Sequence, residues 1–178
     1  MMPDDVRDRV TSYIQHQGTK SREALLDLVR TSQERYAAAV GEASEELSVR
    51  KPSPEEWSLR ELTRHVVTTE DFVADLIAAI ARGQAPPERR GGLGMMREDD
   101  GRPYTALLDD LRVVNAKMLD TIGALPEPPD VSIKPPHPFF GPLNCLEWAA
   151  FQRVHDEDHV QHAGKILAAL AAAGEPGI

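Results

Sequence analysis

The residues best suited to chemistry lie in one run near the C-terminus, His155-Asp156-Glu157-Asp158-His159-Val160-Gln161-His162. Residues four apart leave a helix from nearly the same side, about 6 Å apart along the axis, so His155 and His159 can converge on one ion. His155 and His162 are separated by roughly 10 Å of axial rise, too far for both to join His159 easily on a single ion. A third protein donor should therefore come from another helix, and His65 is the candidate. Three imidazoles with an open fourth position form a donor set of catalytic zinc sites, where a solvent or substrate atom completes the coordination and has its pKa lowered. Neutral imidazole suits nickel, iron and copper as well. The spacing alone is weak support, because an H-x-x-x-H pair among acidic residues also fits a solvated helix face.

Bringing such residues together requires helices packed face to face, and the sequence reads as helical segments punctuated by Pro and Gly. A short helix is expected over Asp4–Gln17, ended by Gly18, and a longer one over Thr19–Leu47 with Leu25, Leu28, Val29, Tyr36, Val40 and Leu47 on one stripe. Ser58 and Glu61 form a capping-box signature at the start of the next helix, with Trp57 and Leu62 as its staple. From there Leu62, His65, Val66, Thr69, Val73, Ile77 and Ile80 share a face until Gly83 and Pro86-Pro87, which turns His65 inward. Pro86–Pro103 reads as a long mobile connection that could cross a bundle end. A third helix is expected over Tyr104–Ala124, and a fourth from the Asn144 cap, with Glu147 three residues on, to Ala173 and the stop at Gly174. The His155/His159 pair continues the stripe of Trp148, Phe151 and Ile166 on this last helix. The expected fold is all-α: a four-helix bundle with long crossover loops and a short extra N-terminal helix, residues 1–18, in one domain spanning 1–178.

Composition agrees with that reading. A chain of 178 residues, 41% of them hydrophobic, can bury a core without staples, and its one cysteine, Cys145, cannot form an internal disulfide. Twenty basic against twenty-nine acidic residues give a net charge of -9, which disfavours nucleic acid and anionic lipid as partners. No apolar run has the length of a membrane span, and the first residues lack a secretory layout, so the chain reads as cytoplasmic.

Three blocks recur in a known order: Trp57-Ser58-Leu59-Arg60-Glu61-Leu62-x-x-His65, then His137-Pro138-Phe139-Phe140-Gly141-Pro142-Leu143, then Glu147-Trp148 with His155-x-x-x-His159. In these blocks the sequence resembles the DinB/YfiT-like superfamily of metal-binding four-helix proteins, over about Thr19 to Ala173. The resemblance implies His65, His155 and His159 as ligands of a divalent metal ion, zinc first, with nickel, iron or manganese as alternatives; it assigns His162 no role. Superfamily members include transferases that use bacillithiol or mycothiol and a mycothiol-dependent maleylpyruvate isomerase. The implied activity is transfer of a low-molecular-weight thiol to an electrophilic small molecule, since the thiolate is the nucleophile and a metal ion stabilises it at neutral pH. A metal-dependent hydrolase and a non-catalytic metal-binding bundle are the alternatives. A homodimer is the open question of assembly.

Four other features carry reactive or charged groups. Cys145 begins a helix, where a thiol pKa can fall, yet it lies two or more turns from His155 and reads as packing. His137 sits in a Pro-bounded loop that could fold over a bundle mouth. The tract Arg89-Arg90-Gly91-Gly92-Leu93-Gly94 follows no strand and lacks a phosphate-loop lysine, so it reads as a solvated loop. Asp156, Glu157 and Asp158 read as an outer charged face, with a base or an imidazole-orienting group as the functional reading.

Overall fold

Side-chain acceptors for free helix amides set the frame. Ser58 Oγ accepts from the Glu61 N–H while Glu61 Oε2 accepts from the Ser58 N–H, so helix α4 (Leu59–Ile80) opens with both halves of a capping box. Asn144 does the same for α6 (Cys145–Gly174): its Oδ1 accepts from the Leu146 and Glu147 amides, and Glu147 Oε2 accepts from the Asn144 N–H. Ser58→Ala is expected to lower unfolding free energy by about 1 kcal/mol, read from urea unfolding curves. Coincident curves for the two proteins would show that the box does not contribute.

The computed structural model describes residues 3–88 and 94–174. In chain order these form α1 (Asp4–Gln17), α2 (Arg22–Gly41), α3 (Glu45–Val49), α4, α5 (Tyr104–Gly123), a two-strand hairpin of β1 (Pro136–His137) and β2 (Gly141–Pro142), and α6. The single helix expected over Thr19–Leu47 is thus two. Helix α2 starts at the Ser21 cap and ends at Gly41; the chain turns, and Ser44 Oγ accepts from the Leu47 amide to start α3. Apolar spacing hides this break, because Val40, Ala43 and Leu47 all pack on one cluster whether or not the helix is continuous.

Helices α2, α4, α5 and α6 form a four-helix bundle in which α4 packs beside α5 and α6, and α2 beside the same two. Consecutive long helices α2 and α4, and α5 and α6, therefore take the diagonals, and the connections 42–58 and 124–144 cross the bundle. Helix α1 lies outside this square, along α6. It is fastened there by Ile14, which is fully buried, and by Gly18, where an added Cβ would come within 2.9 Å of Glu147 Cγ.

The core is stacked in three levels. One apolar cluster holds Leu25, Val73, Ile77, Met118 and Trp148, and another holds Tyr36, Leu62, Val66, Leu111 and Ile166. Along every long helix a polar stretch separates them: Ser32 and Gln33, Thr69 and Glu70, Asn115, and Gln152 with Asp156. Glu70 and Asp156 are only 0% and 1% exposed. Gln33 Nε2 donates to Glu70 Oε1, and the side-chain amide of Asn115 lies against Glu70 Oε2 at 2.9 Å. Ser32 Oγ and Gln152 Nε2 each approach an oxygen of Asp156 at 2.7 Å. Burial, and then each other's charge in the case of Glu70, push both carboxyls upward in pKa, so this level holds protons at pH values where exposed carboxylates have lost them.

Candidate metal centre

Because α4 and α6 are neighbours, the polar level also brings the histidines together. His155 Nε2 lies 3.3 Å from His65 Nε2 and 3.2 Å from His159 Nε2, and the ligand atoms of all three lie within 4.8 Å of one another. Tetrahedral zinc with nitrogens at 2.0–2.1 Å sets those nitrogens about 3.3–3.4 Å apart, so the two close spacings are those an ion would impose. His65 Nδ1 is 2.9 Å from the Met95 carbonyl oxygen, which can only accept; the ring proton therefore sits on Nδ1, and the Nε2 lone pair faces the other two imidazoles. The residues present fit a divalent ion: three imidazole nitrogens within 4.8 Å of one another, one of them fixed in the right tautomer by a carbonyl.

Electrostatics keeps the two donors of α6 neutral. Burial, then the neighbouring imidazoles of His159, His65 and His137, hold His155 well below the ordinary histidine range. Burial, then His65 and His162, bring His159 down to about 3. His155 Nδ1 and His159 Nδ1 are buried with no hydrogen-bond partner among the described residues, and the nearest carboxylate oxygen of Asp156 stands 4.0 Å from His155 Nδ1. Uncharged imidazole is the form that ligates a cation, so no proton need be displaced from the coordinating face at neutral pH.

A cavity of about 880 Å³ opens onto these rings, within the range typical of small-molecule sites. Trp57 closes one side, 5.1 Å from the His65 ring and stacked on His162 at 5.9 Å. On another side the β1–β2 turn lays His137 against Phe140 and Phe151, at 4.8 and 4.4 Å between centroids. His137 Nδ1 accepts from the Phe139 and Phe140 amides, which makes it the fastener of that turn as well as part of the wall. The far side is α1, through Val6, Val10 and Tyr13.

The remaining sequence candidates fall as follows. His162 lines the cavity without joining the close trio. Cys145 is buried, its Sγ 3.3 Å from the Asp130 carbonyl, and burial raises its pKa, in keeping with a packing role. Asp156 corrects the expectation of an outer charged face: it points into the core, while Glu157 pairs with Arg35 at 3.0 Å and Asp158 is exposed. Arg89–Leu93 of the basic glycine-rich tract lie outside the described residues. The connection read as mobile supplies Met95, a residue no spacing rule singles out because only its backbone oxygen is used. Among the described residues no helix is long and apolar enough to cross a membrane.

Three comparisons bear on this architecture. A family profile described as the DinB superfamily matches residues 28–163. The fold is similar to that of TT2238, a four-helix bundle protein, with TM-score 0.58 and 22% identity over 80% of this chain and 99% of that one. It is likewise similar to a DinB-like protein from Bacillus cereus ATCC 10987, with TM-score 0.59 and 17% identity over 88% of this chain and 96% of that one. No curated protein matches the chain.

Proposed function

This chain belongs to the DinB superfamily, and from that premise we propose that His65, His155 and His159 hold a divalent metal ion, zinc first, at which a low-molecular-weight thiol is activated for attack on an electrophilic small molecule. The observation that carries the reading is the pair of imidazole spacings, 3.2 and 3.3 Å, at the floor of an aromatic-walled cavity. A bound ion would supply Lewis acidity, favouring the deprotonated form of a thiol or of water at neutral pH.

The chain's own residues supply position and exclusion. Met95 holds the His65 ring so that Nε2 faces the centre, and α6 presents His155 and His159 on one side of a rigid rod. Trp57, Phe140 and Phe151 give reactants an apolar surround, which strengthens charge interactions inside it. The cavity favours a working centre over an ion that only fastens α4 to α6, since a fastening site needs no room beside it.

Cobalt(II) substitution tests this reading. Cobalt-loaded protein is expected to gain a sulfur-to-metal charge-transfer band in the near ultraviolet when N-acetylcysteine is added. A cobalt spectrum unmoved by saturating thiol would remove the thiol chemistry and leave hydrolysis or a non-catalytic ion, separable by screening ester and amide substrates.

A further inference from the structure

The cavity carries a second polar feature away from the imidazoles. Arg153 lines it from α6, half-buried, with its guanidinium carbon 5.3 Å from the centroid of the Tyr13 ring on α1. Among the described residues no carboxylate lies within ion-pair distance of Arg153, in a chain where most half-buried arginines have one. The lining acids do not neutralise it: Glu157 is engaged by Arg35, and Asp158 is exposed beside His162. Arg9 also reaches the cavity but is exposed and lies 3.9 Å from Asp5. A planar cation laid on an aromatic ring, facing the cavity and lacking an acid partner among the described residues, has its fork of donors available to a carboxylate.

Position on the helix fixes what such a ligand looks like. Successive residues turn by about 100°, so Arg153 and His155 leave α6 on opposite sides, and Val154 and Asp158, between them on the helix, line the same cavity. We propose that the cavity takes an elongated small molecule with an aromatic body and a terminal carboxylate, the carboxylate held by Arg153 across Tyr13 and the other end reaching the three imidazoles. The second half of that statement rests on the metal reading above; the first half does not. Tyr13 precedes the residues matched to the family, 28–163, so the carboxylate end is built partly by a helix outside the matched segment.

The test is calorimetric, with 2-naphthoate and its neutral counterpart 2-naphthalenemethanol as probes, on zinc-loaded protein and on the same protein after chelation. In the metal-free protein naphthoate is expected to bind about tenfold more tightly than the alcohol, the usual effect of a charge-assisted pair. Arg153→Gln should bring the two affinities within about twofold while leaving that of the alcohol in place, and Arg153→Lys should keep part of the preference. Equal affinities in the wild type, no binding of either probe, or a preference that survives Arg153→Gln would each overturn the assignment. A preference seen only with zinc and indifferent to Arg153 would place the carboxylate on the metal, overturning this inference while sparing the metal centre. Full preference in a protein that takes up no zinc would do the reverse.

Discussion

Replacing His159 by alanine is expected to abolish stoichiometric zinc in protein purified without an affinity tag, while His162→Ala retains it. Structural zinc sites bind with roughly 10–16 kcal/mol shared among their donors, so one imidazole contributes about 3–4 kcal/mol and its loss lowers affinity by roughly two to three orders of magnitude. His159 contributes a nitrogen 3.2 Å from His155 Nε2, whereas His162 stacks on Trp57 and stands outside the trio. Elemental analysis of the two variants beside the wild type reads the result directly. Melting curves of the chelated proteins separate ligand loss from damage to the bundle, because His159 is also 92% buried, its exposure being 8%. Equal zinc in wild type and His159→Ala would remove the proposed centre, and loss in His162→Ala alone would move it one turn along α6.

The second large effect belongs to the polar level of the core. Glu70 is fully buried, and burial, then the charge of Asp156, raise its carboxyl above the ordinary value of 4.5. A carboxyl raised on folding binds more protons in the folded state than in the unfolded one, so its contribution is intact below the unfolded pKa. That contribution is lost as pH rises through the folded pKa. Glu70→Gln removes the ionisation while keeping the shape and the acceptor for Gln33 Nε2. The variant should match the wild type at pH 4 and be the more stable of the two at pH 9, the gap opening as the pH rises above the unfolded-state value of the carboxyl. Urea unfolding at pH 4, 7 and 9 measures the difference. A stability gap between the two proteins that stays constant with pH would show that Glu70 titrates alike in both states.

The histidine trio and the buried carboxyls share a cause. At mid-height α2, α4, α5 and α6 each turn hydrophilic residues inward: Ser32 and Gln33 meet acids on other helices, Gln152 Nε2 meets Asp156 one turn along α6, the imidazoles meet one another, and Thr69 Oγ1 and Gln152 Oε1 have no hydrogen-bond partner among the described residues. Burying this many polar groups lowers stability relative to an apolar layer unless all are satisfied. The Nδ1 atoms of His155 and His159, beside the proposed centre, are also among the unsatisfied groups.

Much of this was readable from the chain because it depends on neighbours in sequence. The caps at Ser58 and Asn144, the inward faces of α4 and α6, and the shared side of His155 and His159 follow from helical repeat and local hydrogen bonding. The bundle follows from four such faces needing cover. What the chain could not disclose depends on contacts across long separations or on backbone atoms. The break between α2 and α3 is hidden by a stripe that continues through it. Asp156 reads as part of a solvated run, yet it is buried because α2 brings Ser32 to it. Met95 matters through a carbonyl, which every residue has, and Arg153 stands out only once α1 lays Tyr13 beneath it with no acid in reach among the described residues. Local periodicity sets which side of a rod a residue takes; which rod faces it is decided by packing among helices, and that alone brought position 65 within bonding reach of the pair on α6.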